Sequence, residues 1–148
     1  MTIVVEILKN LRAIDIGKNM NRPLALSLVA LISYMTLIFY LSSQPADVSA
    51  GIEIFDIPRI IMHVGEYGIL GLLMNLVVTQ ISSKNPKSVL YSAAFCSMYG
   101  VTDEVHQYFV PTRCFDICDI LADTIGGLAG AVFLVILLNM LKVEKTGS

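Results

Sequence analysis

Charge is missing from this chain over long stretches, and where it enters an apolar stretch it does so at one end. Residues 24–41 carry no charge at all. Residues 60–81 are apolar except for His63 and Glu66 near the start, and residues 89–109 are uncharged until Asp103 and Glu104 near the finish. Residues 119–141 hold Asp119 and Asp123 in their first turns and are apolar afterwards. A helix needs about 20 mostly apolar residues to cross a bilayer, so the pattern predicts an all-α, polytopic membrane protein with four transmembrane helices at about 24–41, 60–81, 89–109 and 119–141. Gln44-Pro45 and Ile57-Pro58 bound the connection at 42–58, because proline disfavours helix in the residue before it. The short connection at 83–86 predicts that the second and third helices are antiparallel neighbours. No internal repeat interrupts this single domain of 148 residues.

Composition agrees. Hydrophobic residues make up 55% of the chain and the mean hydropathy is +0.73, more apolar surface than a soluble protein of this size can bury. The first apolar run exceeds the usual h-region of a cleaved signal peptide and no A-x-A site follows it, so it is read as a retained helix. The formal charge of −2 and the lack of a Lys/Arg cluster exclude a nucleic-acid surface, which needs a dense basic face. Three cysteines give no even disulfide framework. Cys114 and Cys118 are close enough to be linked if their segment is irregular, but helical spacing would hold them apart, and small apolar fillers are the simpler reading.

Basic residues collect on one side. Lys9, Arg12, Lys18 and Arg22 precede the first helix, Lys84 and Lys87 fall between the second and third, and Lys142 and Lys145 follow the fourth, leaving Arg59 and Arg113 opposite. By the positive-inside rule both termini are cytoplasmic. The acids Asp47, Glu53, Asp56, Glu66, Asp103, Glu104, Asp116, Asp119 and Asp123 mark the outer side. Residues 1–22 are expected to be cytoplasmic or interfacial, since Val4, Ile7, Leu8 and Leu11 repeat at helical spacing.

An ionisable group within a membrane segment needs a partner, a wet cavity or a task. His63 and Tyr67 are four residues apart on one helix face, with Glu66 beside them. Asp103 shares a face with His106 and Gln107, whereas Glu104 lies about 100° round the helix, toward the first helix or a partner subunit. Asp119 and Asp123 share a stripe with Gly126, Gly127 and Gly130, whose missing side chains let a neighbouring helix approach; the same stripe would suit a homodimer seam. All three sets lie at similar depth beneath the 110–113 connection. Arg113 is the cation this spacing offers to the carboxylates, and its fork equally suits a ligand's phosphate or carboxylate.

The string Asp103-Glu104-x-x-Gln107-x-Phe109-Val110-Pro111-x-Arg113, with His63 and Tyr67 before it, Asp119 and Asp123 ahead of Gly126 after it, and Ser42-Ser43-Gln44-Pro45 behind the first helix, resembles the VanZ-like family. The resemblance runs from about residue 42 to 130. Where that family often has glycine before the arginine this chain has Thr112, and where this chain has Asp123 the family often has asparagine. The family takes its name from a protein associated with low-level resistance to the glycopeptide teicoplanin, so the resemblance implies a membrane protein of the cell envelope.

Three readings follow. In one, the polar cluster binds an envelope lipid or lipid-linked head group through Tyr67, Gln107, Arg113, Asp119 and Asp123, with no nucleophile and no cofactor. In another, the chain is an intramembrane hydrolase or transferase acting on a lipid-linked or phospholipid substrate, with His63 or Glu104 as general base and Asp103 as orienter. A metal variant would use the i, i+3 pairs His63/Glu66 and Asp103/His106. In the third, Arg113 pairs with Asp119 or Asp103, and His63, Tyr67 and Gln107 complete a network that locks a scaffold. The topology is the common premise: a reporter active only in the cytoplasm, fused after Ser148, is expected to be active, and one active only outside the cytoplasm to be silent. The reverse result would overturn the orientation.

Overall fold

The computed structural model describes residues 21–45, 59–82 and 87–146, and these described residues form four helices: α1 (Asn21–Ser42), α2 (Arg59–Ile81), α3 (Ser88–Gln107) and α4 (Ile117–Thr146). The expected interfacial helix at 1–22 lies almost wholly outside the described residues, as do most of the 42–58 connection and the 83–86 turn. Among the described residues, three segments are long and apolar enough to cross a membrane: Pro23–Ser42, Arg59–Ile81 and Ile117–Leu141. α3 is 20 residues long and more polar.

Two boundaries differ from the hydropathy reading. α3 ends at Gln107 rather than 109, because the Phe109 and Val110 amides donate to the carbonyls of His106 and Gln107 and tighten the last turn ahead of Pro111. α4 begins at Ile117 rather than 119, because the Asp116 carboxylate accepts the Cys118 amide at 2.8 Å and caps the helix. α4 also continues to Thr146, past the apolar run.

The distribution of side chains is the reverse of a soluble bundle. Leu26, Val29, Ile32, Ile61, Met98, Leu121, Phe133 and Met140 are exposed, while Ser27, Asn75, Ser92, Asp103, Glu104, Gln107, Asp119 and Asp123 are buried. α3 follows the same rule, with Leu90, Tyr91, Met98, Val101 and Val105 outward and its polar residues inward. In an apolar solvent the polar groups have nowhere better to go than one another.

The most extensive packing is between α2 and α4, which run parallel, as the contacts His63 to Asp123 and Asn75 to Ala131 show. Their approach depends on glycine. A Cβ on Gly71 would overlap the Gly127 backbone, one on Gly130 the Gly68 carbonyl, and one on Gly126 the Val64 carbonyl. The stripe expected to admit a neighbouring helix is therefore occupied by α2 within the same chain. Asn75 seals the seam by donating from Nδ2 to the Ala131 carbonyl at 2.8 Å. α3 packs on α4 and α2, its Cys96 lying against Gly127. α1 packs through its buried Leu31 and Ile38 and is tied further by polar links: Tyr34 Oη to the Glu66 carbonyl at 3.1 Å, Tyr99 Oη to the Met35 carbonyl at 2.7 Å, and Gln80 Nε2 to Ser27 Oγ at 2.7 Å.

This seam makes a contrast between glycines. Gly130→Ala and Gly71→Ala are expected to lower stability by about 1–3 kcal/mol through overpacking, whereas Gly65→Ala, whose Cβ would meet nothing within 4 Å, should be neutral or stabilising by up to about 1 kcal/mol. Thermal unfolding of the purified variants in one detergent checks the order.

Candidate functional site

The end of the bundle next to the α3–α4 connection carries the ionisable residues, and the parallel α2–α4 seam brings most of them together. Arg59 and His63 are one helical turn apart on α2, and Asp119 and Asp123 one turn apart on α4, so the two pairs meet in register. The Arg59 guanidinium donates to Asp119 Oδ2. His63 Nδ1 lies 2.9 Å from Asp123 Oδ1, and its Nε2 lies 3.6 Å from Asp119 Oδ2. A carboxylate only accepts, so Nδ1–H donates to Asp123. Both aspartates are almost completely buried.

α3 supplies the opposite wall. Gln107 Nε2 donates to Asp103 Oδ2 at 2.9 Å, and Glu104 Oε2 accepts the Asp116 amide at 2.8 Å, tying the end of α3 to the start of α4. Glu104 is thus directed to the α3–α4 connection, not to α1. Tyr67 is fully buried and lies within electrostatic range of Asp103, Asp123 and Glu66. Glu66 is half-buried and shares that range with His63, Asp103, Asp123 and Arg113.

Two residues take partners other than those the spacing suggested. The cation on Asp119 is Arg59, while Arg113 donates from Nε to the Gln44 carbonyl at 3.1 Å, joining the connection to the end of α1. The carboxylate hydrogen-bonded to His63 is Asp123 rather than Asp103. The i, i+4 spacing of Arg59 and His63, set against that of Asp119 and Asp123, was the available signal for both.

His106 turns away from the cluster toward α1. Its Nε2 is 2.9 Å from Ser43 Oγ and its ring lies 4.3 Å from that of Phe39. Ser43 has one hydroxyl proton and gives it to the Phe39 carbonyl at 2.6 Å, so His106 donates to Ser43. That polarity makes the contact a latch between α1 and α3, since a nucleophile would need to give its proton to the imidazole. Among the described residues, no three His, Cys, Asp or Glu side chains are grouped to hold a metal ion. Cys96, Cys114 and Cys118 are all free thiols, the last two exposed.

Several acceptors in this buried region have no hydrogen-bond partner: Asp103 Oδ1, Glu104 Oε1, Gln107 Oε1 and Asp123 Oδ2, together with the Tyr67 hydroxyl. Each belongs to a residue no more than 5% exposed. Leaving such groups unmet costs about 1–3 kcal/mol apiece, more where charged, and four on adjoining walls is more than a purely structural network explains.

The connection has a backbone feature of its own. Thr112 sits at φ 67°, in the left-handed region that a β-branched residue rarely adopts, immediately before Arg113.

A family model described as VanZ/LLP1 matches residues 27–138, from α1 well into α4. No curated protein and no solved structure matches the chain.

The strain at Thr112 is expected to be relieved by Thr112→Gly. The left-handed conformation costs about 1–2 kcal/mol without glycine, and glycine's extra chain entropy returns about 0.5–1 kcal/mol of that. The variant should keep its melting temperature or gain slightly, and a clear fall would show that the threonine side chain, not the backbone angle, governs this turn.

Proposed function

The chain belongs to the VanZ/LLP1 family, and from that premise we propose that it is a multi-pass protein of the cell membrane that binds the head group of an envelope lipid or lipid-linked precursor in its polar cluster. In this reading α3 is a fourth crossing. Its 20 residues span about 30 Å at 1.5 Å each, and its inward polar face and outward apolar face suit a helix shielded by neighbours on one side and by lipid on the other. With both termini cytoplasmic, the cluster faces outward at the head-group level, where a glycopeptide meets its envelope target. Occupying or shielding that target would reduce teicoplanin access.

The observation that carries the reading is the set of buried, unpartnered acceptors on Asp103, Glu104, Gln107 and Asp123. A bound polar group would satisfy them, whereas a scaffold would gain stability by replacing them with apolar side chains. A second reading has one specific support. The His63–Asp123 hydrogen bond orients an imidazole as in a general base, so hydrolysis or transfer at a lipid-linked substrate is the enzymatic form of the same site.

Native mass spectrometry of the full chain, purified from membranes and back-titrated with defined lipids, is expected to detect saturable retention of a head-group-bearing lipid. Asp103→Asn combined with Glu104→Gln should weaken it by about tenfold or more while helix content is kept. In a teicoplanin-susceptible bacterium the same double variant should lose any protection the wild type confers. Absence of saturable binding would overturn the proposal, and conversion of the bound lipid that His63→Ala abolishes would select the enzymatic form.

A further inference from the structure

The unpartnered atoms of the cluster are nearly all acceptors, while two of its nitrogen donors are already engaged by carboxylates. Arg59 is on Asp119 and His63 donates to Asp123. That leaves Asp103 Oδ1, Glu104 Oε1 and Asp123 Oδ2 open. The imbalance is not confined to acids, because the neutral amide oxygen of Gln107, 2% exposed, is open as well, and its own Nε2 is committed to Asp103.

These acceptors share one region. Asp103 and Gln107 are a turn apart on α3 and hydrogen-bonded to each other. Gly100 precedes them on the same α3 stripe, and the position its Cβ would take lies 2.7 Å from Asp123 Oδ2. The open oxygen of Asp123 therefore packs directly against the Gly100 backbone, on the α3 wall that carries Asp103 and Gln107, an approach that only the missing side chain of Gly100 allows. A phosphate, which brings only acceptors and negative charge, is the wrong complement for these atoms. A primary ammonium brings three donors and a positive charge, and matches them.

We propose that the cluster is selective for a lipid head group bearing a primary ammonium, received by Asp103, Gln107 and Asp123 with Glu104 beside them. This rests on the head-group reading above and gives it a ligand chemistry. The phosphate of such a head group falls to Arg59. That side chain is 48% exposed at the start of α2, and its five N–H groups are more than the one carboxylate on it requires. The source is a membrane lipid because the acceptors lie on the walls of α3 and α4, whose outer faces are apolar.

The test compares head groups on the full chain. In nanodiscs or by back-titration after delipidation, phosphatidylethanolamine is expected to bind at least about tenfold more tightly than phosphatidylglycerol, which has no ammonium, or phosphatidylcholine, whose quaternary nitrogen has no N–H to donate. Asp123→Asn and Gly100→Ala should each erase most of that preference, the first by removing charge and the second by displacing the Asp123 carboxylate that packs against Gly100. If either variant fails to fold, the wild-type lipid series alone decides. Equal binding of phosphatidylglycerol or phosphatidylcholine overturns the ammonium site while leaving head-group binding standing. No binding of any lipid overturns both. Binding of free ethanolamine as tightly as the lipid overturns the assignment to a membrane source.

Discussion

The close approach of α2 and α4 governs the rest of the molecule. Along this seam the two backbones lie nearer than ordinary side chains allow, and Asn75 reaches across it to the Ala131 carbonyl. Gly71, Gly126, Gly127 and Gly130 make that possible, because a Cβ at any of them would enter a neighbouring backbone or side chain. In a medium where apolar side chains gain nothing by leaving solvent, such packing and the hydrogen bonds it permits are the main sources of helix association. The glycine seam and the polar cluster are therefore one device, with close contact along the helices and matched charge at their end.

The polar interior follows from the same constraint. Asn75 donates across the seam, Tyr34 and Tyr99 donate to carbonyls of neighbouring helices, and His106 with Ser43 closes α1 onto α3. Each tie is local and explicable as structure, although Asn75 Oδ1 and Gln80 Oε1 along the bundle are themselves buried without a partner. The cluster beneath the α3–α4 connection differs in density and in charge. Buried acceptors of Asp103, Glu104, Gln107 and Asp123 lack partners there, three of them carboxylate oxygens, and that concentration of unmet acceptors at one end of the bundle marks it as the place to look for a ligand. The connection above is built with corresponding care, through Glu104 on the Asp116 amide, Arg113 on the Gln44 carbonyl, and a left-handed Thr112.

Much of the α-helical plan was legible in the order of residues. Hydropathy located the four helices within a few residues at most ends, and three of them are long and apolar enough to cross a membrane. The errors fell at the ends of α3 and α4, where a tightened turn and the Asp116 cap override composition. The glycine stripe was also legible, since small residues at helical spacing imply a close neighbour. Its neighbour was not, because a stripe reads the same whether it meets α2 or another copy of the chain.

The sequence alone determined which residues had to be sheltered: His63, Asp103, Glu104, Asp119 and Asp123 enter otherwise apolar stretches, where an ionisable group needs a partner or a task. Only the tertiary structure decided who meets whom. It put Arg59 rather than Arg113 on Asp119, Asp123 rather than Asp103 on His63, and turned His106 away to Ser43. Periodicity states which face of a helix a residue occupies, but pairing depends on the rotation and register of two helices against each other, and here those are set by glycine contacts between positions about 60 residues apart in the chain.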